Sequence, residues 1–494
     1  MLTYAQKKSK IEILNADEFK YDETLGKKAR KLIGAVKFKH DEVVMFCDSA
    51  YFYSDKNSMR AFSNVRILQN DSLQIFSDFL DYDGNTKKAK LRGNVRLNNK
   101  DIVLTTKFLD YDKKNNILHY YDGGTVITKD EESTLSSKHG YYYTQSKTFY
   151  FKEDVTLTNA DYNIESDTLQ YNSNSEIVTF LGPSTITSDS NYIYTENGWY
   201  DTKRNISTFY KNSYLFAEGK RIEGDTLYYE RDNGLGRILG NAFIQDTAEN
   251  IVLRGNVVHF FEKNDSVMVT QQALLEQMFD DDTLFMHADT FKISTQIVPQ
   301  ENFIDTIRTL YAYNGVKFFK SDMQGKADSV MYSFKDSVIN FYNEPVIWSD
   351  ESQITADFIY IKVVNNSPYA IYMQENAFIS SKADSNLMVF DQIRGENMVG
   401  HFKDSKLHKI HVMEDSETIY YAKDEDENFI GVNKAEGENM LIFIENNTLT
   451  SLTFIKDPEA TLYPVNNLSE KVLKLTGFTW QVEERPLTKE DIFK

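Results

Sequence analysis

One cysteine in 494 residues excludes an intramolecular disulfide. Cys47 lies in the strand-like run Val43 to Tyr53, which suits a buried structural thiol. Proline is also scarce: there are seven, the first at Pro183. A long ladder of strands keeps proline out of its interior, because each one removes a donor. No run of eighteen apolar residues is present, so no helix here crosses a membrane. The charge balance, 55 basic against 74 acidic residues for a net of −19, offers no basic stripe to neutralise phosphates and argues against a nucleic-acid partner. Amphipathic helix is scarce too, the best stretches being Gln271 to Met278 and the tail after Ser469.

Catalytic patterns are missing as well. There is no Gly-x-Ser-x-Gly, no His-Glu-x-x-His, no phosphate loop and no Cys/His cluster. His408 and His411, three apart on an apparent strand, point to opposite faces and make a poor metal pair, so neither a metal nor another cofactor is expected. The acidic runs at Asp280 to Asp282 and Asp424 to Glu427 lack the alternating ligands and glycine of a calcium loop. Glu344 beside Asp350 and Glu351 is the one carboxylate cluster outside the repeat that fits a glycan-cleaving enzyme, and no enzyme is expected.

What the chain does have is rhythm. Gly34-Ala35-Val36-Lys37-Phe38, Asn64-Val65-Arg66-Ile67, Gly93-Asn94-Val95-Arg96-Leu97, Gly124-Thr125-Val126-Ile127 and Asp154-Val155-Thr156-Leu157 place their valines 29, 30, 31 and 29 residues apart. A second marker, a small or polar residue before an acid, runs in step at Asp48, Asp78, Asp167, Asp225, Asp289, Asp328 and Asp357. Because these acids are the repeat itself, they read as turn or backbone partners in each layer rather than as catalysts. The pattern weakens near residues 271 to 306. Alternation of period two inside the units, with 64 Phe plus Tyr, predicts strands. Clusters such as Asp83-Gly84-Asn85 and Asn172 to Ser175 supply the turns.

Such a period marks a stacked architecture in which each unit buries its apolar face against its neighbours. With one layer per unit and layers ~4.8 Å apart, sixteen units give a rod of roughly 75 Å, or two shorter rods. The expected divisions are a tail with a secretion-signal remnant over 1–10, a first array over 11–295, a second over 306–465 and a C-terminal tail over 466–494. Leu2 to Ala5 before Gln6-Lys7-Lys8 reads as the end of a truncated signal, which predicts an exported protein. The C-terminal tail is expected to cover the last strand edge or to dock to a partner.

An inward apolar surface in such a stack is either filled, giving a structural or adhesive β-solenoid without ligand, or open along one side as a groove for acyl chains. Composition leaves both readings standing. The recurring Gly-Asn-Val-x-Leu and Ala/Ser-Asp-x-x-x-Tyr signatures resemble the OstA/LptA family of periplasmic lipopolysaccharide-export proteins, most clearly from Lys10 to Phe261 and again from Leu310 to Phe378. Phe390 to Phe402, Thr418 to Ala422 and Gly431 to Asn433 resemble the C-terminal part of the long OstA-like proteins of Bacteroidetes-type bacteria. The resemblance implies an all-β, stacked antiparallel β-jellyroll, open like a taco, in the periplasm. It implies that lipid A acyl chains of lipopolysaccharide contact Val36, Phe38, Val65, Ile67, Val95, Leu97, Val126, Val155 and Leu157. It further implies edge-to-edge partners among other jellyroll proteins of the export bridge, including the outer-membrane translocon.

Overall fold

The computed structural model describes residues 9–21, 29–69, 73–128, 133–188, 191–217, 219–279, 282–299, 304–365, 367–384, 388–403, 406–424, 426, 428–445, 448–464 and 473–494. These hold 39 strands, β1 to β39 in chain order, and every reported pairing is antiparallel, so the protein is an all-β stacked jellyroll as expected. The proposed signal remnant at Leu2 to Ala5 lies outside the described residues. The chain forms two compact units, one of residues 1–218 with 225–232, the other of 219–224 with 233–494.

In the first unit the strands form a meander. β3 (Ala29–His40), β4 (Val43–Tyr53), β5 (Ser58–Gln69), β6 (Leu73–Asp83), β7 (Lys88–Asn98), β8 (Ile102–Asp112) and β9 (Ile117–Thr128) pair each with the next along nearly their whole lengths. Each thirty-residue repeat therefore adds two strands to the stack. The expectation of one layer per repeat undercounts, because an antiparallel hairpin fits within one period.

Every second strand is broken at its middle by two consecutive residues in the left-handed region. These are Gly34/Ala35, Ser63/Asn64, Gly93/Asn94, Asp122/Gly123 and Glu153/Asp154, and the register slips there so that two residues oppose one. A bulge of this kind bends the strand, so each strand contributes one half to each of two facing arms. Left-handed backbone is disfavoured for most side chains, and glycine or a short polar residue tolerates it best. That is why the repeat carries Gly and Asn at this place.

The opposing residue is the repeated acid. Asn64 donates its side-chain amide to Asp48 Oδ2, and Asn94 donates to Asp78 Oδ2, each at 2.7 Å. Asn212 bonds Glu196 in the same way at 2.8 Å. At one corner the charges are exchanged, with Lys138 paired to Asp154 at 2.6 Å. The hydroxyl just before the acid, or before Lys138 at the exchanged corner, turns inward. Ser77, Ser137, Ser166 and Thr195 each donate to the carbonyl two residues on, at 3.1, 2.8, 3.1 and 2.7 Å. The two sequence markers are thus the two sides of one corner.

The four-residue turns at the far ends of these strands form a ladder of their own. Gly84 N donates to Asn57 O at 2.9 Å, Lys113 N to Lys87 O at 3.1 Å, Thr144 N to Asn116 O at 3.0 Å and Ser173 N to Lys147 O at 3.1 Å. Each accepting residue has positive φ, which aims its carbonyl at the next turn.

The second unit repeats the scheme. Its corners include Gly240/Asn241, Gln271/Gln272, Asn343/Glu344 and Glu375/Asn376, with Asn376 bonded to Asp357 at 3.0 Å. The stretch Gln271 to Met278, a helix candidate by sequence, lies in strand β24 (Ser266–Met278). Cross-strand pairing to β23 (Ile251–Phe261) and β25 (Thr283–Pro299) outweighs its weak helical pattern. Pairing also continues through the expected break at 295–306: β25 and β26 (Ile304–Tyr313) run in register from Thr290↔Tyr313 to Pro299↔Ile304. Pro299 ends a strand there, and the compact units divide near 218–233 instead.

The C-terminal residues 473–494 lie on the outer face of the second unit and run across its strands, from Gln392 past Gln353 to Gln324. Gln392 donates to Leu473 O at 2.8 Å and accepts from Leu475 N at 2.9 Å. Gln353 donates to Thr479 O at 3.0 Å and accepts from Gln481 N at 2.7 Å. Arg485 Nε donates to Gln324 Oε1 at 2.7 Å, and Lys326 pairs with Glu484 at 2.6 Å. Leu475 joins Phe378, Ile419, Tyr421 and Val432 in a buried cluster. The segment covers a sheet face, whereas the sequence expectation was an edge.

Candidate functional site

The site to weigh is the interior between the arms of the first unit. Alternate residues of each strand point into it, since side chains on a strand change face at every step. From one arm come Val36, Phe38, Val65, Ile67, Val95, Leu97, Val126, Val155 and Leu157, all buried, from Phe38 and Leu97 at 0% to Leu157 at 8% exposure. From the other come Ala50, Phe52, Ala61, Leu80, Leu91 and Leu109, also buried. The sequence placed the nine residues on one surface, and the structure brings them together in one continuous apolar lining. The arms touch directly, as where the Phe38 and Phe52 rings meet with centroids 6.0 Å apart. Cys47, beside the corner, is buried and its thiol is pushed up to about 12 by desolvation.

The mouth, where the two arms end, is laced by polar groups that the sequence did not single out. Tyr82 OH lies 2.6 Å from His40 Nδ1, whose Nε2 is 2.8 Å from Ser9 Oγ. Tyr111 OH donates to Gln69 Oε1 at 2.6 Å, and Asn99 Nδ2 donates to Tyr142 OH at 3.4 Å. The partners are 42, 42 and 43 residues apart, so the lacing repeats with the fold. Burial lowers the His40 imidazole pKa and raises that of the Tyr82 hydroxyl, while Tyr111 is pushed up to about 12. Outside them, Lys87 pairs with Asp41 at 2.8 Å and holds that carboxyl below its ordinary value. A signal was available in the chain: each tyrosine is the last residue but one of its strand, in Asp81-Tyr82-Asp83, Asp110-Tyr111-Asp112 and Tyr141-Tyr142-Tyr143.

The other candidates are dispersed. Glu344 sits in a corner, whereas Asp350 and Glu351 form the turn between β31 (Val346–Ser349) and β32 (Ser352–Thr355), at the opposite end of β31. They do not share a cleft. His408 and His411 occupy one strand, β36 (Lys406–Lys423). Asp282 accepts from the Ser321 amide at 3.1 Å and from its hydroxyl, a structural turn contact.

Residues 8–167 match the family described as OstA-like protein, and this region of the chain is OstA-like. No curated protein matches the chain. Among solved structures it is similar to LptH, described as the LptA homologous periplasmic component of the conserved lipopolysaccharide transport device from Pseudomonas aeruginosa. The identity is 15%, over 22% of this chain and 79% of that one, with a TM-score of 0.20.

Proposed function

We propose, from the OstA-like character of residues 8–167 and the apolar lining they build, that the protein is a non-catalytic lipopolysaccharide-transport component of the periplasm. Acyl chains of lipid A enter between the arms of the first unit and contact Val36, Phe38, Val65, Ile67, Val95, Leu97, Val126, Val155 and Leu157. The observation that carries this reading is the continuity of that lining over successive strands, uninterrupted by a charged side chain. Burial of acyl surface at about 25 cal/mol per Å² supplies the affinity without any reacting group. Entry requires the arms to part at the laced mouth. Three tyrosine contacts and a few exposed ion pairs are a modest barrier, each hydrogen bond contributing about 1 kcal/mol.

Partner jellyrolls add to the terminal strands. β1 (Glu12–Asn15) and β2 (Glu18–Tyr21) pair only with β3, and β38 (Thr448–Ile455) and β39 (Glu459–Tyr463) only with β37 (Phe429–Glu445), among the described residues. Exposed Leu14, Phe19 and Leu462 lie on these edges. Unpaired strand edges accept another strand.

The test places a photo-reactive residue at Val65, Leu97 or Leu157 in cells, with exposed Arg60 and Lys90 as controls, and probes for lipopolysaccharide adducts. Adducts at the inward sites alone support the carrier. Their absence in a folded, exported protein supports a second reading, a structural β-solenoid with a filled core, which the close packing of all nine residues favours.

A further inference from the structure

The outer face of the second unit shows what a covered face looks like in this fold. One row of cross-strand neighbours, Gln324↔Trp348↔Gln353↔Ser380↔Gln392, lies beneath the C-terminal segment, with Trp348 at 0% and Gln353 at 2% exposure. Gln353 and Gln392 bond the segment's backbone, and Gln324 accepts from the Arg485 side chain. The adjacent row carries cations, and Lys326 takes Glu484 while Lys317 takes the Lys494 carbonyl at 2.7 Å. Recognition therefore has two parts, side-chain amides for an extended backbone and a neighbouring cation row for acidic groups.

The first unit presents the same two rows in the same register. The row equivalent to the amide row runs Lys39↔Val44↔Leu68↔Gln74↔Asn98↔Val103↔Ile127, with Val44, Leu68, Val103 and Ile127 half-exposed. The adjacent row runs Lys37↔Phe46↔Arg66↔Phe76↔Arg96↔Thr105↔Thr125. Lys37 and Arg66 lie 5.3 and 4.8 Å from the Phe46 ring centroid. Between β3 and β9 these two rows hold four cations and no carboxylate, in a chain with nineteen excess negative charges; beyond those strands the rows continue to Glu12, opposite Lys39, and to Glu165. Lys37, Arg66 and Arg96 stand about thirty residues apart in sequence, which is why no basic stripe is visible there. Beside Arg96, Thr105 and Thr125 the surface dips into a concavity of about 730 Å³, whose wall also carries Lys107, Lys138, Asp122 and Asp154.

We propose that this face of the first unit is a docking surface for an extended peptide segment of a partner protein that carries both carboxylates and aromatic side chains, as residues 473–494 do with Glu483, Glu484, Phe478 and Trp480. Gln74 and Asn98 bond its backbone, Leu68 and Val103 take its apolar side chains, and Lys37, Arg66 and Arg96 take its carboxylates. The pairing follows the chemistry that the chain's own residues 473–494 display on the second unit, and it is independent of what the interior carries. Charge pairing across such a rim steers association and makes it salt-dependent.

The probe is the one segment whose fit to such a face is visible, a labelled synthetic peptide of residues 473–494, titrated against the full chain by fluorescence polarisation. The expected result is saturable binding, at least ~10-fold weaker in R66E/R96E and in high salt, and unchanged in R60E on the other arm. If R66E/R96E unfolds, K37E/K39E takes its place, with the same loss expected. No saturable binding, or binding unaffected by either pair, overturns the proposal; the second outcome assigns the peptide to exchange on the second unit.

Discussion

Tyr111 and Gln69 meet across the mouth of the first unit, hydroxyl to side-chain carbonyl at 2.6 Å, although 42 residues separate them. Tyr111→Phe keeps the buried ring and removes this bond. Stability to urea should fall by about 1 kcal/mol. On the carrier reading, adducts at Leu97 should increase as the arms part more readily, whereas a filled solenoid shows the stability loss alone.

A corner separates two effects at one position. Asn94 has φ +40 and donates to Asp78. Asn94→Gly loses the bond and relaxes the backbone strain, while Asn94→Ala loses the bond and keeps the strain. Urea unfolding should place Ala about 1 kcal/mol below Gly. Equal stabilities would show that the left-handed backbone costs nothing here.

Protonation of His40 gives a pH dependence of definite sign. Its folded pKa is lowered chiefly by burial, with Asp41 opposing and Lys87 and Lys113 assisting. Since the folded state binds the proton less well than the unfolded state, the stabilising contribution is complete above the unfolded value of about 6.5 and is lost as pH falls through the folded one. The urea midpoint of the wild type should drop between pH 7.5 and 5 by more than that of His40→Gln. A parallel drop in both proteins assigns the effect to other groups.

Gln353 makes two bonds to the C-terminal segment from a buried site against Trp348. Gln353→Ala should cost about 2 kcal/mol, and hydrogen exchange should quicken first at residues 479–481. Uniform exchange across the second unit would mean that the segment and the sheet under it open together.

The corners explain how much of this could be read from the chain. Asn64, Asn94 and their acids were legible because each layer needs a residue that tolerates the left-handed region and a partner for it. Gln271/Gln272 performs the same bend with residues that give no such sign, so the rhythm fades there where the fold does not. The inward valines were legible for a different reason, the two-residue period of a strand. The lacing of the mouth and the two cation rows were not, because their members come together only through strand pairing. The covering of the second unit was missed for the same cause: Gln324, Gln353 and Gln392 are unremarkable polar residues until something lies on them.

The turn ladder has a consequence for how such a chain changes length. Removing residues 58–87, thirty positions running from the start of β5 to the end of the next turn, would join the Asn57 turn directly to β7. The Asn57 carbonyl would then be offered to the Lys113 amide, which now bonds Lys87. Donor and acceptor are interchangeable from one turn to the next, so duplication or loss of such a block leaves no seam. The length of such a stack can therefore change by whole blocks without rewriting the residues on either side of the join.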